Sequence, residues 1–380
     1  MTTDMEPTPV RSTGVKAERL RGLLRDLVDI YSPSGKEEEI IDYAEAYLKK
    51  QGLRVARQEV DDGRHNLVVF PEKWEAVELC YVGHVDTVAA YDLDDFGFSQ
   101  QGETMMGLGT ADMKGGCAAM MEAFTVLAEE ADRFPPVGLA LLVDEEEDNT
   151  GARTFVEKYV PPWAIVGEPT NMAPCLGHYS YLEVLLRTQG KRAHSAMPEL
   201  GQNAIEAMLK LLLRVTAYAV SAPGGLVYNV RDLSGFPGGF VVPDVCEAWL
   251  DLHLPPNSRI DTLRAELEHL VSEAAREIPA PDASFSIEDT FPGYLLPADG
   301  PLVRKLRETY DRMSLPWRPQ EFRSHSDGSI LWASGTGPII LGPGRLEAAH
   351  SREESVSFSQ VVQAAQLYLG LALSLQQEGE

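Results

Sequence analysis

Apolar positions recur at helical spacing near residues 15–31, where LRGLLRDLVDIY places leucine and valine on one face, and again over 37–51 (EEEIIDYAEAYLKKQ). SPSG between them predicts a turn, and Gly52 a C-cap. Short continuous apolar runs at 77–82, 137–143, 163–166 and 338–341, each ending in polar or glycine-rich residues, predict buried strands. Helical patterns at 115–131 and 355–375 fill the gaps. Strands alternating with helices predict an α/β sheet with helices on both faces.

Residues 178–292 have a different rhythm. Strand-like YLEVLLRT precedes a helix at 202–219, strand-like runs at 226–231 and 244–254, a helix at 258–277 and a strand near 283–289. That β-α-β-β-α-β order is the ferredoxin-like, split βαβ arrangement. It interrupts the α/β pattern, so the expected organisation is a catalytic domain in two parts, 15–177 and 293–378, with an inserted domain over 178–292.

Composition narrows the function classes. Hydrophobic residues make up 44% and charged residues 24% of the chain, as in ordinary globular proteins. Lys plus Arg number 33 against 58 Asp plus Glu, and 33 − 58 gives the net charge of −25. Such a chain repels phosphate backbones, which argues against nucleic acid or an anionic membrane as partner. The N-terminal MTTDMEPTPVRSTG lacks the apolar core of a signal peptide and predicts a polar tail. Cys80, Cys117, Cys175 and Cys246 form no CxxC pair, which suits the reducing cytoplasm and excludes a cysteine-ligated zinc knuckle. Any metal here must be held by histidine and carboxylates.

Those residues stand at the strand ends. The run at 77–82 leads to His84 and Asp86, that at 137–143 to Asp144, Glu145 and Glu146, that at 163–166 to Glu168, and that at 338–341 to His350. Open α/β sheets bind ligands outside the carboxyl ends of their strands. A carboxylate cluster packed there costs free energy unless a cation compensates it. Two histidines and several carboxylates without a thiolate suit zinc, cobalt or manganese in a hydrolytic site.

Seven stretches, in order over most of the chain, carry a resemblance. They are SPSGKEEE (32–39), GHVDTV (83–88), GLGTADMKGG (107–116), VDEEEDNTGA (143–152), VGEPT (166–170), GKRAHSAMPELGQNA (190–204) and LGPGRLEAAHSREESV (341–356). The chain resembles the acetylornithine deacetylase, succinyl-diaminopimelate desuccinylase, aminoacylase and carboxypeptidase G family of dinuclear zinc hydrolases. The resemblance implies a zinc-exopeptidase-like catalytic domain, a mixed sheet flanked by helices, with an inserted ferredoxin-like dimerisation or lid domain. It implies two divalent ions per subunit, zinc or else cobalt or manganese, and a homodimer. Carried over by position, it makes His84, Asp112, Glu146, Glu168 and His350 metal ligands, with Asp112 the bridge beside a strained peptide bond. Asp86 would fix the His84 tautomer from behind. Counting five residues back from Gly151 of the GA pair selects Glu146 as ligand within the glutamate run, which leaves Glu145 as general base. His194 matches the histidine that reaches the neighbouring subunit's site.

The implied reaction is amide hydrolysis by a metal-bridging water, removing an acyl group from an N-acyl amino acid or splitting a short peptide. Alternatives are an aminopeptidase or dipeptidase, hydrolysis of an aminoacyl group from an acidic carrier protein, and a catalytically inactive binding protein on the same scaffold. Completeness of the metal set favours the enzyme. Among the remaining histidines, His65, His178 and His269 have no ligand-like context, whereas His325 in RSHSDGS matches a loop near the substrate. Glu354 is expected as a hydrogen-bond partner rather than a ligand. Where many family members anchor the substrate carboxylate with Asn and Arg, this chain has Phe240 and His253. Imidazole is a poorer anchor than a guanidinium fork. His253, Arg323 and His325 are therefore the candidate substrate contacts, with Arg231 and Arg345 as other possible carboxylate partners.

Overall fold

The structure is a computed structural model that describes residues 14–376 except 71–72, 93, 95, 132–133, 223–224 and 278–281. The polar tail expected at the N-terminus falls, apart from Gly14, outside the described residues. The chain divides into two compact units. One comprises the described residues up to Leu176, Leu296–Gln320 and those from Ser326 on; the other comprises Gly177–Leu295 and Glu321–His325. The segment Glu321–His325, expected with the first unit, clusters with the second because the Phe322 ring packs on His178 and its carbonyl accepts the Tyr179 N–H.

In the first unit the sheet runs in the order Val55–Asp61, Arg64–Val69, Val137–Leu142, Leu79–His84, Trp163–Val166 and Gly337–Ile340, with Cys175 pairing beyond. Leu79–His84 lies parallel to both its neighbours, and Gly337–Ile340 is parallel to Trp163–Val166. The Val55–Asp61 and Arg64–Val69 hairpin adds two antiparallel strands, so the sheet is mixed. Leu79–His84 and Val137–Leu142 are buried along their whole length, as parallel strands covered on both faces must be. The helices Lys114–Glu130 and Phe358–Ser374 pack on each other, and Ala17–Asp29 joins them. There Arg19 donates to both oxygens of Glu122, a wholly buried carboxylate that would otherwise be unpaired.

Parallel strands deliver their carboxyl ends to one edge. His84 is the last residue of its strand, Glu145 and Glu146 follow Leu142 closely, and Glu168 stands two residues after Val166. Lys114–Glu130 is brought to the same edge by glycine. A Cβ on Gly116 would lie 2.3 Å from the Gly167 carbonyl oxygen, an approach no other residue permits. Asp112 is thereby set beside Glu168.

In the second unit, Ser180–Gln189, Ala204–Ser221, Val227–Phe236, Val245–Leu254, Ile260–Glu277 and Asp282–Phe291 follow the β-α-β-β-α-β order. The sheet order places Val227–Phe236 at one edge and Ser180–Gln189 between Val245–Leu254 and Asp282–Phe291, every pair antiparallel. This is the ferredoxin-like arrangement, with a core of Leu182, Val184, Leu186, Met208, Leu211 and Leu250. No helix among the described residues is long and apolar enough to cross a membrane.

Gly116→Ala should force helix and strand end apart. The expected cost is about 1–3 kcal/mol of stability, as for other overpacked sites, read in urea unfolding. Unchanged stability would show that the close approach is not required.

Candidate active site

Two groups of potential ligand atoms, each within 4.8 Å of one another, form at the carboxyl edge of the first unit: His84, Asp112 and Glu168, and Asp112, Glu146 and His350. Asp112 belongs to both. Its Oδ1 lies 3.2 Å from His84 Nε2 and its Oδ2 lies 3.5 Å from His350 Nε2. Glu168 Oε1 is 3.7 Å from His84 Nε2, and Glu146 Oε2 is 2.9 Å from His350 Nε2. Glu145 Oε2 comes within 3.9 Å of His84 Nε2. The peptide between Asp112 and Met113 is cis.

Packing these groups together is electrostatically costly. Two carboxylates about 5 Å apart repel by roughly 3–4 kcal/mol at an effective dielectric near 20, and a few such pairs would consume a protein's stability. Their titration registers the crowding. Burial, with the charges of Asp327, Glu146 and Asp112, pushes Glu145 well above the usual carboxylate range. Burial and Asp112 do the same to Glu168, and burial raises Glu146. Asp112 is held low despite burial because His84 and His350 flank it. Burial opposes a charged His84, yet Glu168, Asp112, Asp86 and Glu145 together push it well above its ordinary value. The hydrogen bond to Glu146 raises His350 to about 9.

Divalent cations would relieve this arrangement, and the donors fit them. Imidazole nitrogen and carboxylate oxygen form the donor set expected of zinc or a similar ion in a hydrolytic site. Glu168 Oε1 is buried without a hydrogen-bond partner among the described residues, so a lone pair stands ready for a ligand. His84 Nδ1 faces the Asp86 carbonyl at 3.1 Å and its carboxylate at 3.5 Å. A proton donated from Nδ1 leaves Nε2 as the ligating atom.

The residues behind these groups are themselves hydrogen-bonded. Asp86, wholly buried, accepts the backbone N–H of Glu145 and of Glu146 at 3.1 Å each, and the Ser34 hydroxyl at 2.8 Å. Burial alone would raise it, but His84 and these donors hold it below its usual value. Glu354 accepts the N–H groups of Gly109, Ala111 and Asp112 at 2.9–3.0 Å, so it orients the loop bearing Asp112, as a hydrogen-bond partner. Burial and Asp112 raise Glu354 to about 7. Asp327, raised by burial to about 7, accepts from Asn149 at 3.1 Å and closes the loop that carries Glu145 and Glu146. Sequence reading missed Asp327, having attended to His325 two residues earlier; an aspartate directly before Gly-Ser at a helix start was the available signal.

The other expected site residues lie in the second unit and join neither ligand group. His194 is exposed; its Nδ1 accepts the Ala196 N–H and its backbone bridges Val241. His253 and His325 both pack on Tyr181, at ring separations of 5.1 and 5.6 Å. Burial lowers His253 below the usual imidazole range, which favours its neutral form. Arg323 is exposed and makes no ion pair with a described residue, whereas Arg231 is held by Glu183 and Asp251. His178 is buried, stacked on Tyr294 and lowered by burial to about 4, a structural histidine.

A sequence profile for peptidase family M20/M25/M40 matches residues 80–374. An acetylornithine deacetylase of Vibrio campbellii is 27% identical over 339 residues, 84% of this chain and 87% of its own length. Another acetylornithine deacetylase, from Edwardsiella ictaluri, is 28% identical over 342 residues, 86% of this chain and 88% of its own. Among solved structures, a tripeptidase of Staphylococcus aureus superposes with a TM-score of 0.79 at 21% identity, covering 96% of this chain and all 100% of that one. An aminopeptidase of Bacillus cereus gives a TM-score of 0.78 at 20% identity, with 95% and 99% covered. These structures share the fold.

Glu354→Gln turns an amide donor towards backbone donors. It should cost about 1–3 kcal/mol of stability and weaken zinc binding about 10–100-fold in a chelator competition, as loss of outer-layer partners does. Native zinc affinity in a folded variant would show that Glu354 does not orient Asp112.

Proposed function

The chain belongs to peptidase family M20/M25/M40 and is a metal-dependent hydrolase; from that premise we propose that it removes the acyl group from an N-acyl amino acid at a site for two divalent ions. The observation that carries this reading is the division of Asp112 between two ligand groups, one carboxylate oxygen towards each histidine. His84 and Glu168 would hold one ion, Glu146 and His350 the other, with Asp112 shared. Zinc fits the donor set, and cobalt or manganese is the alternative. When bound, the ions supply Lewis acidity, polarising the amide carbonyl and making water a better nucleophile.

The remaining steps belong to side chains. Glu145 is buried beside the ligands, and its raised affinity for protons suits a general base at neutral pH. It takes the proton as water attacks the carbonyl carbon and delivers it to the departing amine. Asp86 fixes both the His84 ring and the two N–H groups that aim Glu145 and Glu146. Among the candidate carboxylate contacts of the second unit, Arg323 makes no ion pair with a described residue, whereas His253 favours its neutral form and Arg231 is already held by Glu183 and Asp251. The names of the matched deacetylases support an acyl amino acid as substrate; a short peptide is the second candidate, and a panel of N-acetyl, N-succinyl and dipeptide substrates separates them.

A homodimer is part of the reading. Leu209, Leu213 and Val220, 47–75% exposed, form one stripe on Ala204–Ser221, and Val227–Phe236 is an edge strand with one side unpaired among the described residues. A two-fold partner would cover both features. His194, in the same unit, is then the residue that would donate to the reacting carbonyl in the partner's site. The four cysteines, buried and free, support a cytoplasmic location.

Chelation should abolish hydrolysis, and Zn²⁺ or Co²⁺ should restore it. Glu145→Ala should keep its metal content yet lose about 10²–10⁴ in turnover, the usual weight of a positioned acid–base group. Near-native turnover would remove Glu145 from that role. Mixing inactive His194→Ala and Glu145→Ala proteins and letting subunits exchange should regain activity, because one site of the mixed dimer then carries neither substitution. Mixed dimers as inactive as the parents would place His194's action within its own subunit or nowhere.

A further inference from the structure

The loop carrying Glu145 and Glu146 is held by more than Asp86 and Asp327. Asp86 holds its N–H groups from the metal side. Two residues of the Arg64–Val69 strand hold it as well. Asn66, fully buried, accepts the Val143 N–H at 3.2 Å and donates to the Gly151 carbonyl at 2.8 Å, so it staples the two stems of the loop. The stems touch so closely that a Cβ on Gly151 would lie 2.1 Å from the Val143 oxygen. Arg64, two residues earlier and so on the same face of the strand, forms an ion pair with Asp144 Oδ1 at 2.8 Å and reaches Glu37 at 3.6 Å, with Asp61 also on its guanidinium.

Asp144 is the residue directly before Glu145, it is buried, and its φ is +66°, in the left-handed region that aspartate enters more readily than most L residues. Its Oδ2 accepts the Thr150 hydroxyl at 2.5 Å and its carbonyl accepts the Asn149 N–H at 2.6 Å. Rotation of Asp144 would swing Glu145 and Glu146 together. We propose that Arg64 is a positioning residue for the reaction: through Asp144 it sets the direction of Glu145 and Glu146, with Asn66 fixing the loop's stems. The proposal rests on Glu145 as base and Glu146 as ligand.

The test uses the full-length metal-loaded protein. Arg64→Gln should lower kcat about 10²-fold, the usual effect of misplacing a reacting group by about 1 Å, with KM changed less than about threefold. Its zinc affinity, read by chelator competition, should fall about 10-fold or more, as Glu146 loses its aim. Because the effect passes through Asp144, Arg64→Gln/Asp144→Asn should lose no more kcat than the worse single variant. If Arg64→Gln does not fold, Arg64→Lys and Thr150→Val carry the same test, each expected to lower kcat at least about tenfold at native melting temperature. A folded variant with native kcat and zinc affinity, or full additivity in the double variant, overturns the proposal. Glu145→Ala run alongside separates the two readings. If it retains turnover the base assignment fails; if it is inactive while Arg64→Gln behaves natively, only the positioning role fails.

Discussion

Negative charge packed around Asp112 is the constraint on which the rest of this molecule depends. Asp112, Glu145 and Glu168 are buried together, Glu146 adjoins them, and His84 and His350 complete the two candidate ligand groups. Charges this close in a low-dielectric setting are tolerated only when hydrogen-bonded, protonated or paired with cations. The upward shifts of Glu145, Glu146 and Glu168 express the same demand through protonation. A site so strained towards binding cations is one in which a divalent ion gains much of its affinity from relief of repulsion.

Everything outside that cluster limits how it can relax. Asp86 and Glu354 accept backbone N–H groups of the two loops that bear candidate ligands, while Asn149 closes one loop onto Asp327. Gly116 admits the helix after Asp112 to within contact of the strand end before Glu168. Groups of this kind decide whether candidate reacting groups stand at the geometry catalysis needs.

Much of this was legible in the sequence. Continuous apolar runs ending in His or acidic residues identified the strands and the edge where they finish, and the β-α-β-β-α-β rhythm identified the second unit's arrangement. The family resemblance, carried on seven stretches, supplied what spacing could not: that Asp112, which follows none of the apolar runs, belongs with the others. The Val55–Asp61 and Arg64–Val69 hairpin went unread, because Val55–Asp61 carries as many charged residues as apolar ones, although Asp62-Gly63, with Gly63 at φ +89°, was a turn signal. Missing that strand hid Arg64 and Asn66, whose partners lie some eighty residues along the chain. Asp144 was read as one more acid in DEEED, since nothing in a charge run distinguishes the residue that turns inward. The helix Gly328–Ala333 was too short to register, and Asp327 was overlooked with it.

The most direct test of the shared-ligand account is anomalous diffraction from crystals soaked in zinc. Two peaks are expected, one within coordination distance of His84 and Glu168, the other of Glu146 and His350, each also touching a different oxygen of Asp112. A single peak at full zinc occupancy, or two peaks of which one lies away from Asp112, would contradict it.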